Sequence, residues 1–252
     1  MNKNKIYNKL IKLLSYFIPL SNNRKNFRKK FLKNNICADT SSSIVNYGHN
    51  NIVKLILENG EEIINPAISG LKIIFYGNNN LVVLHSPIQF RASTFEMQSD
   101  SLINIQKSKY FLCNLNISPM NNNTLLIGRD FSCSSVNIRL HDEPKLTVKI
   151  GDDCMFSHDI EIRSSDGHTI LNRKTKEILN PATDIKIGNH VWIGMRCILL
   201  KNTQIPDHSI LGANSLINKS FSTRCNRGGW LLLEYPPRLS RTILFGLGTV
   251  QI

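Results

Sequence analysis

Hydrophobic residues recur at every sixth position in the second half of the chain. The apolar series begins after Val148, is interrupted once, and consists of Ile150, Phe156, Ile162, Ile187, Ile193, Leu199, Ile205, Leu211 and Ile217. Four positions after each of the last six stands a mostly small residue, namely Val191, Cys197, Thr203, Ser209, Ser215 and Phe221. One aliphatic position in six is too sparse for an amphipathic helix, which needs three or four in two turns.

This period of six predicts a triangular β coil. Each hexapeptide supplies one short strand and a turn, three hexapeptides close one coil, and equivalent positions stack at the strand spacing of about 4.8 Å. Aliphatic side chains then fill the interior of the prism, and small ones fit its corners. We therefore expect a regular parallel β-helix over residues 148–221.

The preceding part of the chain, residues 36–147, has a weaker pattern of short strands. The segments "GHNN" at Gly48 and "GNNN" at Gly77 are 29 residues apart, which indicates a degenerate repeat with a longer period. Asparagine suits the turns of such a repeat, because it tolerates left-handed backbone geometry and bonds to its own backbone. These residues are predicted to form irregular coils of the same β-helix, and residues 222–252 a C-terminal segment.

Residues 1–35 are predicted to form a basic helical arm. Ile6, Leu10, Leu13 and Phe17 recur at helical spacing, and Pro19 ends the run. Ten of the 31 basic residues lie before residue 34, so the remaining chain carries 21 minus 18, or +3, of the net charge of +13. Such an arm can bind an anionic membrane surface or polymer, or pack on the main domain with its lysines in water. Both interpretations stay open.

Composition excludes several other classes of protein. The chain has no apolar run of about 20 residues and no secretory cleavage site, so we expect a cytoplasmic protein, in peripheral contact with the inner membrane if the arm binds there. The basic segment has few aromatic residues between its cations, which argues against nucleic-acid binding. The six cysteines form no CxxC pair and are predicted to be reduced core residues, with no metal bound.

The interruption of the six-residue register, residues 163–186, is predicted to be a functional loop. It contains "SSDGHTI", which brings together Asp166, Gly167 and His168. Histidine titrates near neutral pH and is the usual general base for a hydroxyl, so His168 is a candidate catalytic residue. Asp166 either orients His168 or caps the turn. His190 is a second candidate base, although its turn position predicts a surface residue.

The stretch "IKIGNHVWIGMRCILLKNTQIPDHSILGANSLINKSF" resembles the hexapeptide-repeat acyltransferases. That resemblance implies an all-β fold, the left-handed parallel β-helix. The 24-residue separation of His168 and Trp192 resembles the catalytic pair of the polysialic acid and related capsule O-acetyltransferases. It implies that His168 activates the acceptor hydroxyl and that Trp192 positions the sulfur of acetyl-CoA, with its indole N–H as a donor to the thiolate.

The same resemblance implies an acetyl-CoA site between neighbouring subunits of a homotrimer. Lys219 is expected near the phosphates, with Lys201 as a further candidate. Arg238 lies in "EYPPRL", which departs from the Gly-Asn-Pro-Ala-Lys segment common in these enzymes. The full set of expected cofactor contacts is Trp192, Gly194, Lys201, Gly212, Ala213, Ser215, Lys219 and Arg238.

The function predicted from the sequence is acetyl-CoA-dependent O-acetylation of a bacterial surface polysaccharide by direct transfer. Capsule, including polysialic acid, and lipopolysaccharide are the acceptors considered, either polyanionic or neutral. The alternatives are N-acetylation of an amino-sugar nucleotide and a non-catalytic β-helix that binds carbohydrate. Cys197 could act as an acyl nucleophile, but its small inward position in the hexapeptide favours core packing.

Overall fold

The computed structural model describes residues 43–141 and 145–221, together with the strands at 232–234 and 242–244. All of them lie in the second of two compact units, Met1–Asp39 and Thr40–Ile252. The described residues form strands and turns, and no helix long and apolar enough to span a membrane occurs among them. The predicted N-terminal helix and Arg238 lie outside the described residues.

Three parallel sheets of eight strands form the walls of the structure. Sheet A contains β1 Ser43–Asn46, β4 Leu71–Phe75, β7 Ser93–Met97, β10 Leu115–Pro119, β13 Val136–Leu140, β16 Ile160–Arg163, β19 Ile198–Leu199 and β22 Leu216–Ile217. Sheet B contains β2 Ile52–Ile56, β3 Glu62–Ile64, β5 Leu81–His85, β8 Leu102–Ile105, β11 Thr124–Ile127, β14 Thr147–Ile150, β17 Ile185–Ile187 and β20 Gln204–Ile205. Sheet C contains β6 Gln89–Arg91, β9 Phe111–Cys113, β12 Ser132–Cys133, β15 Met155–Phe156, β18 Trp192–Ile193, β21 Ser209–Leu211, β23 Leu232–Glu234 and β24 Thr242–Leu244.

The chain passes from sheet A to sheet B to sheet C and then begins the next coil. Each strand from β4 to β19 therefore pairs in parallel with the strand three elements further on, as β10 does with β13. Antiparallel pairing occurs at the two ends, between β2 and β3 and between β23 and β24. The result is a triangular prism of about seven turns. We name its three edges the A–B, B–C and C–A corners.

The core lies inside the prism and confirms the hexapeptide pattern. Every aliphatic or aromatic residue of the six-residue series is at most 3% exposed. The residues four positions later are buried too, including Cys197 and Ser215. Aromatic rings also fill the interior, and Phe131 meets Phe156 edge to face with ring centroids 5.0 Å apart.

Residues with positive φ, in the left-handed backbone conformation, occupy the corners of the prism, as the asparagine content predicts. Asn50, Asn79, Asp100 and Asn122 have φ values of 55°, 58°, 57° and 55° at four successive A–B corners. Asn114 and Asn214 have φ values of 46° and 60° at the C–A corner. The asparagines are therefore abundant because each coil needs several residues that accept positive φ at low cost.

A buried polar ladder lines the inside of the A–B corner in the first coils. Asn80 donates its amide and its main-chain N–H to Oδ1 of Asn51, at 2.9 and 3.0 Å. Ser101 N–H donates to Asn80 Oδ1, and Asn123 N–H donates to Ser101 Oγ. The repeat predicted from Gly48 and Gly77 is the repeat of this corner, since the two glycines lie in successive coils.

Candidate active site

The insertion leaves the prism at the A–B corner, between the end of β16 at Arg163 and the start of β17 at Ile185. At its base, Thr183 N–H donates to the Ser164 carbonyl at 3.1 Å. Further out it folds back on itself as a hairpin, with a bridge between Leu171 and Ile178. We call residues 164–184 the inserted loop.

His168 is exposed on this loop, and its main chain is held by the side chain of Asn180. Asn180 Nδ2 donates to the His168 carbonyl at 2.8 Å and to Asp166 Oδ2 at 2.9 Å. Lys201 Nζ donates to the same Asp166 oxygen at 2.6 Å. These donors hold the pKa of the Asp166 carboxyl below its usual value, with Lys201 as the largest cause.

Trp192 lies on the outer face of sheet C and is 40% exposed. As the first residue of β18 it pairs with Met155 on one side and Ile210 on the other, while Ile193 points into the core. Gly194 follows at the C–A corner, where an added Cβ would lie 2.8 Å from the main-chain nitrogen of Ala213. Glycine at this position allows two successive coils to approach closely beside the tryptophan.

The predicted cofactor stretch from Gly212 to Ser215 begins at the same corner. Ser215 is buried, and its Oγ donates to the Gly212 carbonyl at 2.6 Å. The buried thiol of Cys197 donates to that carbonyl at 3.1 Å. Burial raises the pKa of the Cys197 thiol, which disfavours the thiolate that nucleophilic catalysis needs. Ala213, by contrast, is exposed.

The two predicted lysines lie at the other side of the prism. Lys201 and Lys219 occupy equivalent A–B corner positions in successive coils, 18 residues apart. Lys201 is engaged with the inserted loop, since its ammonium also donates to the Asn180 carbonyl at 3.0 Å. The Lys219 ammonium lies 5.5 Å from the centroid of the Phe221 ring.

The predicted site residues therefore fall into two groups. The loop half-site, at the A–B corner, contains Asp166, His168, Lys201 and Lys219. The tryptophan half-site, on sheet C and at the C–A corner, contains Trp192, Gly194, Gly212, Ala213 and Ser215. In a triangular prism the A–B corner is opposite sheet C. One chain consequently does not bring His168 and Trp192 together.

The second candidate base, His190, contacts other side chains of the prism. His190 has a φ of 56° at the B–C corner, and its ring contacts the Asp153 carboxylate and the His208 ring. No group of three or more metal-ligating side chains was found in residues 43–141 and 145–221. Arg196, which sequence reasoning missed, is exposed at the C–A corner beside the tryptophan half-site.

Asn180 is the other residue that sequence reasoning missed. Its signal is modest, because it is one of many asparagines and lies in the aperiodic insertion. It does precede Pro181, and the residue before a proline is biased towards extended geometry. An asparagine there can reach neighbouring backbone groups with its side chain.

Comparison with known proteins identifies the repeat. Residues 184–219 match the family model "Bacterial transferase hexapeptide (six repeats)". The chain is 29% identical over 125 residues to a polysialic acid O-acetyltransferase of Neisseria meningitidis, covering 50% of this chain and 57% of that one. It is 32% identical over 93 residues to the galactoside O-acetyltransferase of Escherichia coli strain K12, covering 37% and 44%. The chain thus spans about half the length of the curated relatives it matches.

Two solved structures share the fold. The polySia-specific acetyltransferase NeuO superimposes with a TM-score of 0.60 over 83% of this chain and 89% of its own, at 24% identity. The polysialic acid O-acetyltransferase OatWY superimposes with a TM-score of 0.62 over 71% and 81%, also at 24% identity. The predicted left-handed parallel β-helix and the predicted resemblance to hexapeptide-repeat acyltransferases are confirmed.

Proposed function

We propose that this protein, whose hexapeptide coils resemble those of named O-acetyltransferases, transfers an acetyl group from acetyl-CoA to a hydroxyl of a bacterial surface polysaccharide. The observation that carries the proposal is the inserted loop, which presents the exposed His168 from an otherwise regular hexapeptide prism. A loop that interrupts a regular coil needs its own hydrogen bonds, so its presence favours a function.

The proposed reaction is a direct transfer. The imidazole of His168 accepts the proton of the acceptor hydroxyl while the oxygen attacks the thioester carbonyl carbon. The C–S bond then breaks, and the indole N–H of Trp192 donates a hydrogen bond to the departing thiolate. Cys197 takes no part, since its thiol is buried and directed at a carbonyl of the coil.

The site is completed between two copies of the chain, in a homotrimer. His168 and Trp192 lie on opposite sides of one prism, so a second copy must supply the missing half-site. Exposed apolar residues support this arrangement on both sides. On the inserted loop, the side chains that are more than half exposed are Ile170, Leu171, Ile178 and Leu179. Around the tryptophan half-site, the apolar side chains that are 40% exposed or more are Met155, Trp192, Met195, Ile198 and Leu216.

Acetyl-CoA is proposed to lie along the C–A corner. Gly194, Gly212 and Ala213 are proposed to line the path of the pantetheine arm there, whereas the Ser215 hydroxyl is turned inward to the Gly212 carbonyl. Arg196 is exposed at the same corner and adds a cation for the phosphates. Lys219 of a neighbouring copy is a second cation, and a contact from Arg238 stays a prediction.

The acceptor is proposed to be a capsule or lipopolysaccharide chain. Of the two curated relatives described above, one is named for polysialic acid, a polyanion, and the other is named for galactosides. The basic arm of residues 1–35 suits a polyanion or an anionic membrane surface. The proposal therefore includes a cytoplasmic location with peripheral contact at the inner membrane, where such polymers are assembled.

The test measures thiol release from acetyl-CoA with a panel of acceptors that includes polysialic acid. We expect acceptor-dependent release, loss of at least about a hundredfold in His168→Ala, and an unchanged rate in the control His49→Ala. His49 is an exposed histidine at the A–B corner of the first described coil. Full activity in His168→Ala would remove it as the base.

Two further outcomes would select the alternatives. Transfer only to amino groups of sugar nucleotides would indicate an N-acetyltransferase. Failure of the purified protein to bind acetyl-CoA in calorimetry would favour a carbohydrate-binding β-helix without catalysis.

A further inference from the structure

We propose that Asn180 is a positioning residue, which holds the main chain of His168 at the place where the base must act. This inference rests on the proposed function, because it assigns a role in that same reaction. Asn180 touches no reacting atom and acts only through His168.

The side-chain amide of Asn180 makes three hydrogen bonds within the inserted loop. Its Oδ1 accepts the main-chain N–H of Ile170 at 2.6 Å. Its Nδ2 donates to the carbonyl of His168 at 2.8 Å and to the Asp166 carboxylate at 2.9 Å. The amide has two donor hydrogens, so both are used. The loop on both sides of His168 is thereby held by three hydrogen bonds to one side chain.

Lys201 connects the hydrogen bonds around Asn180 to the prism. Its ammonium donates to Asp166 Oδ2 at 2.6 Å and to the main-chain carbonyl of Asn180 at 3.0 Å. Lys201 belongs to the A–B corner of the following coil, between β19 and β20, and each of these strands turns one aliphatic side chain into the core. The chain of contacts therefore runs from that coil through Lys201 and Asn180 to His168.

Polar bonds, rather than packing, determine the conformation of this part of the loop. Every residue from Asp166 to Leu171 is exposed, and a Cβ added at Gly167 would meet no atom within 4 Å. The large apolar side chains Ile170 and Leu171 are more than half exposed in the chain. Within one chain no apolar burial restrains this part of the loop, so its conformation depends on these hydrogen bonds and can change when one amide is removed.

The first measurement is steady-state acetyl transfer by Asn180→Ala. A misplaced base lowers kcat by about ten- to a hundredfold, while KM for acetyl-CoA stays within about twofold because the tryptophan half-site is untouched. In a His168→Ala background the same substitution lowers kcat no further, since Asn180 acts through His168. The control Asn172→Ala removes an amide at the far turn of the same loop, where Asn172 Oδ1 accepts from Lys174 and Thr175. It leaves kcat within about twofold.

The second measurement needs no activity. The inserted loop contains the tryptic sites Arg173, Lys174 and Lys176. We expect trypsin to cut Asn180→Ala at these sites about tenfold faster than the wild type, because cleavage follows the population of the opened loop. Asn116→Ala, an exposed asparagine of sheet A, is the control and is cut at the wild-type rate.

The two measurements separate this inference from the proposed function. Wild-type kcat in Asn180→Ala overturns the positioning role, and so does an equal loss of kcat in Asn172→Ala. An equal further loss in the His168→Ala background also overturns it, because it indicates a general structural effect. If the wild type transfers no acetyl group, the proposed function fails, and only the trypsin measurement then tests the role of Asn180. Faster cleavage of Asn180→Ala than of the wild type supports the role of Asn180 in holding the loop. An equal cleavage rate in the two proteins refutes it.

Discussion

Lys201 and Asp166 form an ion pair of 2.6 Å between residues 35 apart in sequence. The pair joins the inserted loop to the coil that follows it. Asp166 was a candidate to orient His168 or to cap the turn, and its carboxylate is bonded to Lys201 and Asn180. The influence of Asp166 on His168 therefore passes through the loop backbone and Asn180.

The first prediction concerns the pKa of the Asp166 carboxyl. Hydrogen bonds from Lys201 and Asn180 lower it from the ordinary value of 3.8. Lys201→Met should return it towards that value, as measured by carbon NMR of labelled aspartate across a pH titration. Because the folded-state pKa is lowered, the contribution of the pair is present above the unfolded-state value and is lost as the pH falls through the folded-state value. The ion pair of Lys201 and Asp166 is thus intact at neutral pH and weakens only below pH 3.8.

A matched control for this titration is Lys186→Met, an exposed lysine on sheet B. It should leave the Asp166 titration unchanged. An unchanged titration in Lys201→Met as well would contradict the ion pair in solution.

The second prediction concerns the buried cysteine beside the tryptophan half-site. Cys197→Ala should retain the rate of acetyl transfer within about threefold, because the raised pKa and buried position make the thiol a poor nucleophile. Iodoacetamide should also leave this thiol unmodified in the folded protein, as read by mass spectrometry of the peptide that contains it. Loss of transfer in Cys197→Ala with an unchanged melting temperature would indicate a covalent acyl-enzyme.

The third prediction concerns the aromatic packing of the core. Phe131 and Phe156 are at most 1% exposed and meet edge to face. Phe156→Ala should lower the free energy of unfolding by about 3–5 kcal/mol, as measured by urea denaturation. Phe111→Ala, on the exposed face of sheet C, should lower it by less than about 1 kcal/mol. Equal losses in the two variants would argue against a packed interior at this level.

The sequence was sufficient for the fold because the prism repeats. Each six-residue period fixes which side chain points inward, and parallel stacking then places equivalent residues such as Leu199 and Ile217 in neighbouring strands of one sheet. The corner asparagines follow from the same geometry. In the coils before residue 148, loops of unequal length obscure the period, and only the glycine and asparagine spacing reveals it.

The candidate site was predicted less completely, for two physical reasons. His168 and Trp192 were expected to approach because 24 residues separate them, but their distance depends on which corner the loop leaves and which sheet carries the tryptophan. Asn180 was missed because a polar loop has no periodicity, so only the folded hairpin reveals which of its amides bonds to His168. The assignment of these residues to catalysis stays a prediction.

The last prediction tests whether two chains complete the site. His168→Ala retains its tryptophan half-site, and Trp192→Ala retains its loop half-site, so each variant alone should be inactive. In trimers formed by co-expressing the two variants in equal amounts, an interface is intact when a wild-type loop meets a wild-type tryptophan. That occurs in about a quarter of the interfaces, so about a quarter of wild-type activity should return.

The control pairs His168→Ala with the double variant His168→Ala/Trp192→Ala, which contains no wild-type loop and should recover nothing. Because both mixtures contain the same Trp192 alteration, general destabilisation affects them alike. If the first mixture stays inactive although mass spectrometry detects mixed trimers, each site is built within one chain. The loop would then have to move from the A–B corner around the prism to sheet C, which requires breaking the bonds from Lys201 to Asp166 and Asn180.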